Sequence, residues 1–172
     1  MSRFRTRRPA PAWRGWALAA SVLIVSCAAL ALWLLVPSRT LAHQVVVHVQ
    51  GEPQSWLARE QVSAAGIQRV LRKSGVQLDL ISERIVYAQS CWFRGHYVPH
   101  LVLETARGPA TVMLLRHEPV PRREVFNEAG MTGIIVPAQQ GSIALLTRGG
   151  GADLDALAGE MQRDTHWMPE PH

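Results

Sequence analysis

From Trp16 to Val36 the chain reads WALAASVLIVSCAALALWLLV, without one charged residue. At about 1.5 Å of rise per residue, a helix over this run measures roughly 30 Å, the thickness of a bilayer's hydrocarbon core. Trp13, Trp16 and Trp33 lie near its ends, where indole rings favour the headgroup level. Pro37 stops a helix there, and Arg39 marks the exit. The run therefore predicts a single membrane span over 16–36, with 1–15 as a tail, 37–42 as a linker and 43–164 as the folded domain. Residues 165–172, polar and proline-containing, read as a frayed end.

Charge sets the direction. Arg3, Arg5, Arg7, Arg8 and Arg14 precede the run and Arg39 alone closely follows it. By the positive-inside rule the tail is expected to stay cytoplasmic and the domain to be translocated. In a bacterium this means an inner-membrane anchor with a periplasmic domain, so the bilayer itself is the first partner expected. Two rival readings fare worse. Cleavage after Thr40-Leu41-Ala42 would follow a weak small-residue pattern and an apolar run longer than the usual h-region. Ile24-Val25-Ser26-Cys27 looks like a lipobox, but the chain stays apolar for nine residues after Cys27.

The same arginines account for the basic balance of the chain. Removing those five from the 18 Lys and Arg leaves 13, against 13 Asp and Glu. Nucleic-acid-binding domains concentrate positive charge on the domain itself, so nucleic acid is not an expected partner. The two cysteines are Cys27, inside the apolar run, and Cys91 in the domain, so no disulfide framework is expected.

Beyond the linker, His43–Val49 (HQVVVHV) is β-branched and reads as a strand. A short helical piece over 56–58 follows. Ser63 is placed as N-cap of a helix with Ile67, Val70 and Leu71 on one face, closed by Gly75. Strands are expected over 76–80, 85–88 leading into 90–92, 98–105, 109–116, 133–138 and 142–147. The last two pairs are joined by Ala106-Arg107-Gly108 and Gln139-Gln140-Gly141, both hairpin signals. Val112, Met113, Leu114 and Leu115 are apolar on both faces, which places that strand centrally. Leu154, Leu157, Ala158 and Met161 predict a final helix, with Asp153 and Asp155 near its start. The expected class is α+β: a mainly antiparallel sheet with helices on one face. His117–Gly130 reads as the longest irregular stretch and the segment most suited to binding.

Within Val86–Leu146, the features Cys91, Gly95, His100, Gly108-Pro109, Thr111-Val112, Gly133, Pro137 and Gly141 resemble a bacterial family of unknown function. Its members place such a domain after one membrane span, and its longer members look like membrane-spanning anti-sigma factors. The resemblance implies this architecture and a role in envelope regulation, and no catalytic mechanism. The cytoplasmic tail here is too short to capture a sigma factor and lacks a His-Cys-Cys metal signature.

Cys91, His96 and His100 form the most suggestive chemical cluster. Thiolate and imidazole suit zinc or copper, and His43, His48 or His117 could supply a fourth ligand. His100 shares strand parity with Val98 and Val102 and so points to an apolar face, where a satisfied core histidine is the competing reading. No catalytic constellation is recognisable: there is no nucleophile elbow, Walker loop or carboxylate pair. Two functions are therefore expected to compete. One is a non-catalytic interaction domain acting through a protein partner, without cofactor. The other is a metal- or redox-sensing domain using Cys91, His96 and His100.

Overall fold

The computed structural model describes residues 23–31, 40–79 and 84–169. The chain divides into two units, Met1–Ser38 and Arg39–His172. In the first, residues 23–31 are helical and exposed. The expected span over 16–36 otherwise lies outside the described residues, as does the arginine-bearing tail. Among the described residues, no helix is long and apolar enough to cross a membrane.

The second unit is an α+β domain. Its elements run α1 (Leu41–Gln50), α2 (Gln54–Leu57), α3 (Ala64–Lys73), β1 (Val76–Leu78), β2 (Arg84–Phe93), β3 (His96–Thr105) and β4 (Gly108–Leu115). They continue with β5 (Glu124–Glu128), β6 (Met131–Pro137), β7 (Ser142–Arg148), α4 (Leu154–Asp164) and β8 (Thr165–Trp167). Six strands form one sheet in the order β2-β3-β4-β7-β6-β5, every neighbouring pair antiparallel. A small second sheet pairs β1 with β8.

Alternation along the inner strands divides the core in two. Leu101, Leu103, Val112, Leu114, Ile143 and Leu145 face one side and pack with Leu71 of α3 and with Leu154, Leu157 and Met161 of α4. Val98, Met113, Leu115, Ala144 and Leu146 face the other side and pack with Ala42, Val45, Val46 and Val49 of α1 and Trp56 of α2. Helices therefore cover both faces, not one. The reason is visible in β4: a strand apolar on both faces needs cover on both, and reading 43–49 as a strand had left none for the second face.

That segment is the main correction. Residues 41–50 form a helix because burial at Ala42, Val45, Val46 and Val49 follows the i, i+3, i+4, i+7 helical spacing. The Thr40 side chain caps it, its Oγ1 accepting the His43 N–H at 3.1 Å. Helix α1 also begins inside the stretch read as linker 37–42. Two smaller differences lie elsewhere. The segment 117–130 contains the edge strand β5, held by Phe126 lying over Gly133, where an added Cβ would sit 2.2 Å from the ring. The supposed frayed end from 165 onward starts with β8, whose register Val76↔Trp167, Gln77↔His166 and Leu78↔Thr165 ties it to β1.

Other expectations hold. Strand β4 is central, β6 and β7 form a hairpin, and Ser63 caps α3 through its side chain, which accepts the Gly66 N–H at 3.2 Å. Asp153 caps α4 by accepting the Ala156 N–H at 3.1 Å. Gly141 adopts φ +77° where a Cβ would collide with the Leu115 carbonyl at 2.1 Å, so the β6–β7 turn admits glycine alone without rearrangement.

Candidate metal centre

The β2–β3 hairpin sets the register of the site. Arg94 and Gly95 both carry positive φ, 49° and 90°, the backbone of a two-residue type I′ turn closed by Phe93↔His96. Gln89 then pairs with His100 and Cys91 with Val98, which makes Cys91 and His100 diagonal neighbours on one face. A register shift between Ile85 and Tyr87 re-aims β2, so that Ile85 joins the α3/α4 side of the core while Cys91 and Phe93 join the α1 side.

Above this face lies the end of α1. His48 is in its last turn, and Glu52 follows at i+4, in the connection to α2. The donor atoms of His48, Glu52, Cys91 and His100 all lie within 4.8 Å of one another. His100 is fully buried, and its Nδ1 meets Glu52 Oε2 at 2.8 Å. The Tyr87 hydroxyl lies 3.1 Å from the same oxygen and 2.7 Å from Gln89 Oε1. His48 Nε2 is 3.4 Å from Glu52 Oε1 but poorly aligned for a hydrogen bond, and it is buried without a hydrogen-bond partner, as is His100 Nε2. The His48 ring meets Phe93 edge-on at 5.5 Å and lies 5.9 Å from the His100 ring.

Electrostatics centre on Glu52. Its hydrogen bond from His100 pulls its pKa down to about 2, helped by the Cys91 thiol and opposed by burial. The carboxyl is thus ionised, and His100 carries a proton on Nδ1 to donate to it. Burial, then the neighbouring carboxylate, push the Cys91 thiol above its ordinary range. Burial lowers the His48 pKa, with Glu52 opposing the shift and His100 adding to it. Burial and the charge of Glu52 raise Tyr87.

Of the residues singled out from sequence, Cys91 and His100 meet and His96 does not join them. His96 and His100 are four residues apart on one strand, about 13 Å at the usual rise. At the mouth of the hairpin, His96 instead stacks on His117, with ring centroids 3.8 Å apart. His43 is paired with Glu128 on β5. His48, one of the possible fourth ligands, is the histidine that arrives. Glu52 was missed. Its signal, a carboxylate four residues after His48, is readable only once 41–50 is taken as a helix.

The four donors suit a borderline-soft divalent ion. A thiolate and a carboxylate supply two negative charges and two imidazoles supply none, so a divalent ion there would be neutralised. Zinc–ligand bonds of about 2.0–2.3 Å would require the side chains to draw in by about an ångström.

The family described as "Protein of unknown function (DUF3379)" matches residues 2–164. The chain belongs to that family. A search of curated proteins found no match, and neither did a search of solved structures. The family match covers Cys91 and His100, which carried the resemblance seen in sequence, and also His48 and Glu52.

Proposed function

We propose that this chain is a metal-holding regulatory domain, tethered to the bacterial inner membrane with its folded part in the periplasm. His48, Glu52, Cys91 and His100 are its ligands, and zinc is the first candidate ion, copper the second. The observation that carries this reading is the convergence of four ligand atoms of the right chemical types from three separate elements within 4.8 Å. Buried nitrogens of His48 and His100 without hydrogen-bond partners are compatible with it, since each is left with a lone pair or N–H to satisfy. Anchoring is supported by the charge-free run, part of which is helical with exposed Leu23, Ile24, Val25 and Leu30, and by the arginines before it.

Binding would displace the Cys91 thiol proton, and a strongly bound cation is what a thiol with a raised pKa needs in order to ionise at neutral pH. The test is elemental analysis of the tag-free full chain, purified in detergent without chelator. One zinc or copper per chain is expected, with Cys91→Ser and Glu52→Gln each lowering that stoichiometry. A chain that arrives metal-free and takes up neither ion on dialysis would remove this reading.

A second reading, a protein-interaction domain in envelope assembly or regulation, draws on one observation. A cleft of about 430 Å³ is lined by His43, Gln44, Val47, His48, Trp92, Phe93 and Arg94. Trp92 and Val47 on it are large apolar side chains left 62% and 53% exposed. Loss of a crosslinked protein partner on Trp92→Ala, with metal content unchanged, would favour this reading.

A further inference from the structure

Helix α1 is built from a sequence poorly suited to being a helix. Four of its ten residues, Val45, Val46, Val47 and Val49, are β-branched at Cβ and lose side-chain freedom against the preceding turn. Its helical state therefore rests on what holds it from outside. Three fixings are present: the Thr40 cap at the start, the apolar stripe from Ala42 to Val49, and the pairing of His43 with Glu128. The fourth is the group of ligands at its far end.

The distribution of those ligands matters. His48 and Glu52 belong to α1 and the turn after it, whereas Cys91 and His100 belong to β2 and β3. An ion held by all four would join the end of α1 to the sheet. Without it, the end of α1 meets the sheet through one hydrogen bond from His100 to Glu52, one contact from Tyr87 to the same oxygen, the Cys91 thiol, the edge-on contact of His48 with Phe93 and the apolar packing of Val49. Among the described residues, α3 and α4 pack on the opposite face chiefly through apolar side chains, and no cluster of ligating side chains holds them. Their polar contacts include Lys73 over the Tyr97 ring, Gln162 on the Pro137 carbonyl and Asp155 paired with Arg123.

We infer that metal occupancy controls the docking of α1 on the sheet: the bound ion clamps the helix, and its loss lets α1 open locally while the sheet and the opposite face stay folded. This rests on the metal-holding reading above and names how that site would act. It also gives the regulatory role a physical output. Helix α1 is the first element of the folded unit Arg39–His172 in chain order.

Amide hydrogen exchange on the full chain in detergent tests this, comparing protein stripped with a chelator against protein with one equivalent of zinc. In the stripped form, amides of α1 are expected to exchange faster than those of β4 and β7. Zinc should slow the α1 amides at least tenfold, because opening α1 would then require releasing the ion. Local exchange in α3 and α4, which carry no ligand, should change by less than about twofold. If zinc binds stoichiometrically and α1 exchange is unchanged, the clamp is overturned while the metal site stands. The same holds if α3 and α4 slow as much as α1, since the ion would then oppose only whole-domain unfolding. If zinc does not bind, both readings fall together, and elemental analysis tells that outcome from the others.

Discussion

The two faces of the six-stranded sheet are covered by the same number of helices but solve different problems. Under α3 and α4 the buried side chains are mostly apolar, with Leu101, Leu103, Val112, Ile143 and Leu145 interleaved against the helices, and the buried polar groups Thr147 and Thr165 are uncharged hydroxyls. Under α1 and α2 the apolar packing is interrupted by His100, fully buried, and by the carboxylate it meets. A buried ionised group costs free energy unless it is paired, and a hydrophobic replacement of similar volume often serves stability as well or better. The first face is therefore what stability alone produces. The second carries an expense that calls for a functional explanation.

The largest predicted effect breaks the apolar face. Leu145→Ala removes a fully buried side chain from the central strand β7 and leaves a cavity. A loss of about 2–5 kcal/mol is expected from the transfer and cavity terms. Because no titrating or ligating group is removed, the mutant's melting curve should run parallel to wild type across pH, and zinc should raise both by the same amount. Thermal melts with and without zinc check this. A pH-dependent gap between the two would mean that the faces are not energetically separate.

A smaller but more informative effect comes from the other face. Glu52→Gln keeps the shape and removes the charge, at an expected loss of about 1–3 kcal/mol for a charge-assisted bond. Its pH signature follows from linkage. A carboxyl lowered from 4.5 to about 2 in the folded state contributes stability that is complete above 4.5 and is lost as pH falls towards 2. His48, lowered from 6.5, adds a second loss beginning as pH drops below that value, because the unfolded chain takes up the proton more readily. Wild type should thus weaken in two stages on acidification, and the Gln variant should lack the lower stage. Denaturant titrations between pH 7 and pH 3 would show it, and an unchanged lower stage would place the carboxyl's interactions elsewhere.

The contrast between the faces also explains what could be read from the chain. Strands β3, β4, β6 and β7 were legible because their turns are short and glycine-marked and their residues run apolar. Helices α3 and α4 were legible because a capping Ser63 precedes the one, the acids Asp153 and Asp155 open the other, and both show a clear 3.6-residue period. Helix α1 was not, because its valines satisfy a strand pattern equally well and Thr40 as a cap stood inside an expected linker. Tertiary burial of 42, 45, 46 and 49 decided between the two periods. The site inherited that error. Cys91 and His100 were found from residue type and strand parity, but His96 was added by spacing alone, without allowing for the distance a strand covers in four residues. His48 and Glu52 become a pair only at helical spacing, so their meeting was hidden until α1 was a helix. Strand β8 was hidden because its partner is the three-residue β1, nearly ninety positions earlier.

The smallest predicted effect sharpens the comparison most, because it applies one change to a helix on each face. Thr40→Ala and Ser63→Ala each delete a side-chain oxygen that accepts a backbone N–H at a helix start, 3.1 Å from His43 N and 3.2 Å from Gly66 N. Each should cost about 1 kcal/mol of stability, the usual value of such a cap. Their effects on zinc binding should differ. If α1 must be docked before His48 and Glu52 can bind, weakening it lowers the fraction of competent protein, and apparent zinc affinity falls by the same fraction. A loss of about 1 kcal/mol sets an upper limit of roughly fivefold on that change. Ser63→Ala acts on α3, which contributes no ligand, and should leave affinity unaltered. Competition titrations against a zinc-sensitive dye resolve a fivefold change. Equal affinities in the two variants would mean that α1 is fully docked with or without the ion, and that the polar face is a rigid binding site and not a moving one.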